Sequence, residues 1–398
     1  MNQTLVMESA REESLDRAGL QSATIDFLRF PMAVAVVMIH MTPNVVPLGE
    51  ADFPLLSSEG LYNVVAMSIS HVLARIAVPV FFLISGLLFF LNIRQLNWGG
   101  YRRKLSSRLH TLIIPYLLWN LLPFMVMAMT EVAIGIKHGH GLANLWGYLT
   151  PETLDIFWDS NKWNLDNVNI LGIKMISTGP YDLPLWFLRD LIVVVIFSPA
   201  IYWFVKKTRI VGLLLLFAAY YLQIWIPLPG FSVTAFFYFS LGAYFSIEGK
   251  SIIGFVRANR YVISIGALLF FVPSVYFDGS FTPEGKWLSN AFVIFGVFAA
   301  FLVAASLVEY KGWRANRFLV SACFFIYALH GVAALPIYGV PLSMFNYFVG
   351  LILPQSSEIC RLVAYFVVPA VTIAFCAGVY AAMRRLLPGL TKVLSGGR

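Results

Sequence analysis

Apolar residues along this chain gather into long runs divided by short polar segments, without the strict alternation of a half-buried strand or the one-sided pattern of a soluble helix. The runs predict ten helices, at 24–44, 62–91, 109–131, 184–205, 210–227, 231–248, 260–277, 288–309, 318–340 and 359–383. Most approach the roughly 20 residues that a helix needs to cross a bilayer core. Short alternating strands of the β-barrel type do not recur. Residues 1–23, with Glu8, Arg11, Glu12, Glu13, Asp16 and Arg17, lack the apolar centre of a signal peptide and are expected to form a polar tail. The expectation is an all-α polytopic membrane protein of about ten transmembrane helices. Its membrane domain is 24–383, with a long outer loop at about 132–183, and 384–398 form a second tail.

Charge orients these helices. With a cytoplasmic N-terminus, the segments on the inner side carry twenty Lys and Arg, and the outer segments carry only Lys137, Lys162, Lys174 and Lys286. That bias places both termini in the cytoplasm. Composition agrees: 59% of residues are hydrophobic and 12% charged, with mean hydropathy +0.77, against about 25% charged in soluble domains. The net charge of +8 follows topology and forms no basic domain, which argues against nucleic acid as a partner and for membrane lipids. Cys323, Cys360 and Cys376 sit in apolar runs without metal or disulfide spacing, so no metal is expected.

Against this background, ionisable residues inside the runs stand out, because they are costly there and tend to be functional. The first run, IDFLRFPMAVAVVMIHMTP, holds Arg29 and His40 eleven residues apart. That spacing is three turns plus roughly 20°, so the two side chains share one helix face about 16 Å apart along the axis. His71 and Arg75 share a face of the second run; Arg189 and Asp190 lie in PLWFLRDLI; His330 lies near the middle of SACFFIYALHG. His40, Arg75, Arg189 and His330 thus come from four helices at compatible depths and are the candidate catalytic set. Each alone has a plainer explanation, such as an Asp26–Arg29 pair at a helix end or an Arg189 reaching for the outer interface.

Two polar segments add candidates. Residues 92–108 with the start of the third helix hold Arg94, Arg102, Arg103, Lys104 and Arg108, more cations than orientation requires. They suit the phosphates of a nucleotide cofactor or, equally, lipid headgroups. The outer loop carries Trp146, Tyr148, Trp158, Trp163 and Tyr181 among Glu152, Asp155, Asp159, Asp166 and Asp182. Aromatic faces beside carboxylates suit sugar rings; an interfacial aromatic belt is the simpler reading.

Taken together, IDFLRFPMAVAVVMIH, LARIAVPVFFLISGLLFF, RLHTLIIPYLLWN, PLWFLRDLIVVVIFSPAI and SACFFIYALHG resemble, in order, motifs of the acyltransferase 3 family of bacterial integral-membrane acyltransferases. The resemblance implies about ten membrane helices in the bacterial inner membrane. It also implies transfer of an acyl group, often acetyl, from cytoplasmic acyl-CoA to a hydroxyl of a surface polysaccharide or lipid-linked glycan, with polysaccharide-biosynthesis proteins as partners. Arg29 and His40 match the family's Arg-x10-His spacing, as a donor-side residue and the catalytic histidine. Some members carry Arg-x-x-Arg before the helix 3 proline; here Arg108 is followed by Thr111, leaving Arg103 or Lys104 to take the second place. In this scheme Arg29, Arg103, Lys104 and Arg108 hold the donor phosphates, and His40 deprotonates the acceptor hydroxyl or carries the acyl group. Arg75, Arg189 or His330 then stabilises the oxyanion. A permease using the same buried groups is the rival reading, although no inverted repeat supports it. A structural subunit of an export complex is another, and it leaves the buried polar set without a role.

Overall fold

A computed structural model describes residues 2–40, 58–91, 93, 98–155, 157–159, 167–168, 174–175, 179–277, 283–333 and 358–397. Nearly all of them are helical; the strands among them are Asn167–Val168 and Lys174–Met175, a two-residue antiparallel ladder in the long segment before residue 183.

Helix α1 (Asn2–His40) continues through the polar segment read as a tail, whose Ala, Leu, Glu and Arg residues favour helix. The second run is broken into α2 (Ser58–Ala66), a π-helical turn Met67–Val72, a 3-10 turn Leu73–Ile76 and α3 (Ala77–Phe90). Pro79 accounts for part of this break, since it cannot donate to the carbonyl of Arg75 and its ring crowds that group. Helix α4 spans Trp98–Lys137, and the loop helices α5 (Ala143–Tyr148) and α6 (Pro151–Asp155) follow.

The runs at 184–205 and 210–227 are re-divided. A 3-10 turn Leu183–Leu185 leads into α7 (Trp186–Ile196), and α8 (Ser198–Leu222) departs from it at 65°. Pro199, in the first turn of α8, suits a helix start. Arg209, with φ of 51°, marks a further kink near the gap expected from sequence. Next come α9 (Val233–Ile247), α10 (Ile252–Ala258) and α11 (Arg260–Tyr276), the last two meeting at 77°. The described chain ends with α12 (Pro283–Tyr310), α13 (Arg317–Ala333), α14 (Glu358–Leu386) and α15 (Pro388–Leu394).

By length and composition five described helices can cross a membrane, or seven if each bent pair is one span; α9 and Arg317–Val332 are shorter apolar helices. Ile265, Leu268, Leu269 and Val272 form one exposed apolar face of α11. Such a face on a helix whose other side enters the core is what lipid contact requires.

One contact sets the spacing of the bundle. A Cβ at Gly86 of α3 would strike the Phe239 carbonyl, and a Cβ at Gly242 of α9 would strike the Leu83 carbonyl. Small residues here let two backbones touch. Gly86→Ala and Gly242→Ala are each expected to cost about 1–3 kcal/mol through overpacking. Thermal unfolding in detergent checks this; wild-type melting for both variants contradicts it.

Candidate active site

Arg29 and His40 occupy the two ends of the apolar part of α1. Arg29 Nη1 pairs with Asp26 Oδ1 at 2.9 Å, the i,i+3 pair that the sequence allowed. The His40 end is tied down by Ser70 of the π-helical turn, whose Oγ donates to the Met38 carbonyl at 3.0 Å and lies 2.9 Å from the Tyr365 hydroxyl. The irregular turn therefore braces the backbone that carries His40.

His40 and His330 meet: their ring centroids are 5.4 Å apart at a 45° tilt. His330 is fully buried, with Nδ1 3.2 Å from the Ile326 carbonyl. A carbonyl only accepts, so Nδ1 carries the proton and Nε2 presents its lone pair. That Nε2 is buried without a partner among the described residues. Tyr327 packs beside it, ring centroids 5.9 Å apart, and donates its hydroxyl to the Pro184 carbonyl.

A cavity of about 280 Å³ runs between α1, α3, α4, α7 and α13. Arg29, Ser107, Arg108 and Thr111 supply polar lining, Phe81 and Phe187 an apolar wall, and Tyr327 brings it alongside the His330 ring. Ser395 and Gly396, just beyond α15, also line it. They are held there because Trp119 Nε1 of α4 donates to the Leu394 carbonyl at 3.0 Å. The sequence assigns this segment to a cytoplasmic tail, with no signal that it packs on α4.

The other candidates are engaged elsewhere. Lys104 Nζ donates to the Phe89 and Leu91 carbonyls at 2.9 and 3.2 Å, satisfying the open C-terminal end of α3. Arg103 is exposed, and neither it nor Lys104 lines the cavity. Arg94 lies outside the described residues. Arg75 Nη1 reaches Ser289 Oγ of α12 at 3.3 Å. Arg189 is buried, with Nε on Asp190 Oδ1 at 3.0 Å, Nη1 on the Trp158 carbonyl at 2.8 Å and its guanidinium 5.8 Å from the Trp158 ring. It thus ties Trp158 of the long loop to α7. In the same loop the Tyr148 and Tyr181 hydroxyls are 2.9 Å apart, and burial with this contact raises the Tyr148 phenol above its ordinary range. Trp146 is exposed; Trp163 and Asp166 lie outside the described residues.

The anchoring role of Arg189 has a measurable consequence. Arg189→Ala leaves Asp190 buried and stripped of this partner, and is expected to cost about 3–5 kcal/mol of stability. The double change Arg189→Met, Asp190→Leu is expected to restore folded protein, measured by size-exclusion yield and melting. A double variant that is well folded yet inactive per molecule contradicts a purely anchoring role.

A family model described as an acyltransferase domain matches residues 22–383. The succinoglycan biosynthesis protein ExoH of Rhizobium meliloti (strain 1021) is 27% identical over 389 residues, covering 95% of this chain and 92% of that protein. No solved structure matches significantly. The chain therefore belongs to the acyltransferase 3 family.

Proposed function

We propose that this enzyme moves an acyl group, acetyl or a close relative, from cytoplasmic acyl-CoA to a hydroxyl of a cell-surface polysaccharide or its lipid-linked precursor. The observation that carries the reading is the cavity, which joins Arg29 and Arg108 to Tyr327 beside the histidine pair. The relative's role in succinoglycan biosynthesis supports a glycan acceptor.

In this reading the protein sits in the bacterial inner membrane with about ten spans and both termini inside. The donor phosphates rest on Arg29 and Arg108, which suit phosphate oxygens. The pantetheine arm follows the apolar wall, and the thioester lies near His40. His40 takes the proton of the acceptor hydroxyl as its oxygen bonds to the thioester carbonyl carbon. Collapse of the tetrahedral intermediate breaks the C–S bond, and the imidazolium returns the proton to the departing thiolate. The products are an O-acyl ester and free CoA. Arg75 and Arg189, held by Ser289 and Asp190, have no step in this scheme.

The test follows radiolabelled acetyl-CoA and succinyl-CoA with protein in lipid nanodiscs and membranes bearing the host polysaccharide. Base-labile label in the polysaccharide with release of CoA supports the reading; no CoA release with either donor removes acyl-CoA from it.

A further inference from the structure

Three buried side-chain atoms have no hydrogen-bond partner among the described residues and sit on residues that adjoin one another: both carboxyl oxygens of Asp182, which packs on Gly331, and Nε2 of His330, the residue before that glycine. Asp182 is completely buried at the end of the outer loop, just before the 3-10 turn that opens α7. Its backbone is fixed on both sides. The amide donates to Oδ1 of buried Asn120 at 2.9 Å, and the carbonyl accepts from the Leu185 amide at 2.9 Å. The carboxyl packs on the backbone of Gly331, the residue after His330, so closely that a Cβ there would strike Oδ1.

Buried polar atoms in native proteins are nearly always satisfied, and those that are not point to a ligand or to water. Nε2 of His330 accepts, and the carboxyl accepts through at least one oxygen. The group that satisfies them must bring donors, and more than one. Arg189, the nearest buried cation along the chain, is already bound to Asp190 and Trp158. A polyhydroxyl ring supplies donors of the needed kind, and a site closed to water gives each such bond more weight.

Resting on the acyl-transfer reading above, we propose that Asp182 and His330 Nε2 form the acceptor cradle. They accept hydrogen bonds from hydroxyls flanking the one that reacts at His40, and so hold a sugar in place for attack. Asp182 is then a positioning residue that selects polyhydroxyl acceptors over water.

The experiment measures the partition of radiolabelled acetyl-CoA and succinyl-CoA between transfer, read as base-labile label in host-membrane polysaccharide, and hydrolysis, read as free acid. Asp182→Ala is expected to shift that ratio toward hydrolysis by about tenfold or more, the scale of one lost charged hydrogen bond. Gly331→Ala, whose methyl meets both the carboxyl and the Pro184 ring, is expected to shift it the same way. Asp182→Asn, which keeps an acceptor oxygen in the same volume, is expected to lie nearer wild type. A merely structural role lowers both products together and leaves the ratio unmoved. A wild-type ratio in Asp182→Ala, or in Gly331→Ala where Asp182→Ala does not fold, overturns the proposal. A wild type inert to both donors overturns the acyl-CoA reading first, and the cradle with it.

Discussion

His40→Ala is expected to lower acyl transfer by about 10²–10⁴-fold, the range of a lost general base, while the protein still binds its donor. His40 ends α1 against the His330 ring and is braced from behind by Ser70 and Tyr365. Arg29 lies three helical turns from His40 along α1, so donor affinity is expected to stay within about threefold, less than the loss of one charged hydrogen bond. His330→Ala is expected to act less severely, because its Nε2 orients the acceptor and its Nδ1 is committed to Ile326. The double variant is expected to be no worse than His40→Ala alone, as for groups that act as one unit. Single-turnover CoA release in nanodiscs reads all three. Full activity in His40→Ala at normal protein level contradicts the assignment.

Arg29→Ala and Arg108→Ala are expected to give the opposite split. Each removes one cation from the cavity, and charge-assisted hydrogen bonds are worth about 1.5–3 kcal/mol, or roughly 10- to 150-fold in the donor Kd. The turnover of whatever donor still binds is expected to change far less. Affinity is also expected to weaken with added salt in wild type, and less so in the double variant. Lys104→Gln serves as the contrast: that ammonium caps α3, so the change is expected to lower stability more than donor affinity. Equilibrium binding of labelled acetyl-CoA measures each case. Unchanged affinity in both Arg29→Ala and Arg108→Ala moves the donor phosphates elsewhere.

Much of this was legible in the sequence because the bilayer makes hydrophobicity a strong signal. Long apolar runs become helices, and a cation or imidazole inside one is conspicuous. Arg29, His40 and His330 emerged on that ground alone, and helical spacing put the first two on one face. That His40 touches His330 could not be read, since 290 residues of chain separate them and only the bundle brings them together. Arg75 and Arg189 are equally conspicuous, and nothing in the sequence says that one reaches Ser289 and the other Asp190 and the Trp158 carbonyl. The bend at Phe197 had a local sign in Ser198-Pro199, which an unbroken hydrophobic run obscured. Lys104 is the reverse: its charge marked it for a phosphate, while the open carbonyls of α3 claimed it. Asp182 reads as one acid of the long loop, for nothing in YDLPLW says that this carboxyl turns inward onto Gly331.

The central claim is that the arginine-lined cavity holds the acyl donor, and Cys323 offers a direct view of it. This thiol is buried, donates to the Leu319 carbonyl at 3.0 Å and is part of the cavity lining. With Cys360 and Cys376 replaced by alanine, the rate at which a small alkylating reagent modifies Cys323 can be followed by mass spectrometry in inside-out vesicles. The account predicts that acetyl-CoA slows modification in the wild-type site and does so far less in the Arg29→Ala, Arg108→Ala variant. Modification that proceeds at the same rate with saturating acetyl-CoA, in protein that still turns that donor over, would show that the donor binds elsewhere.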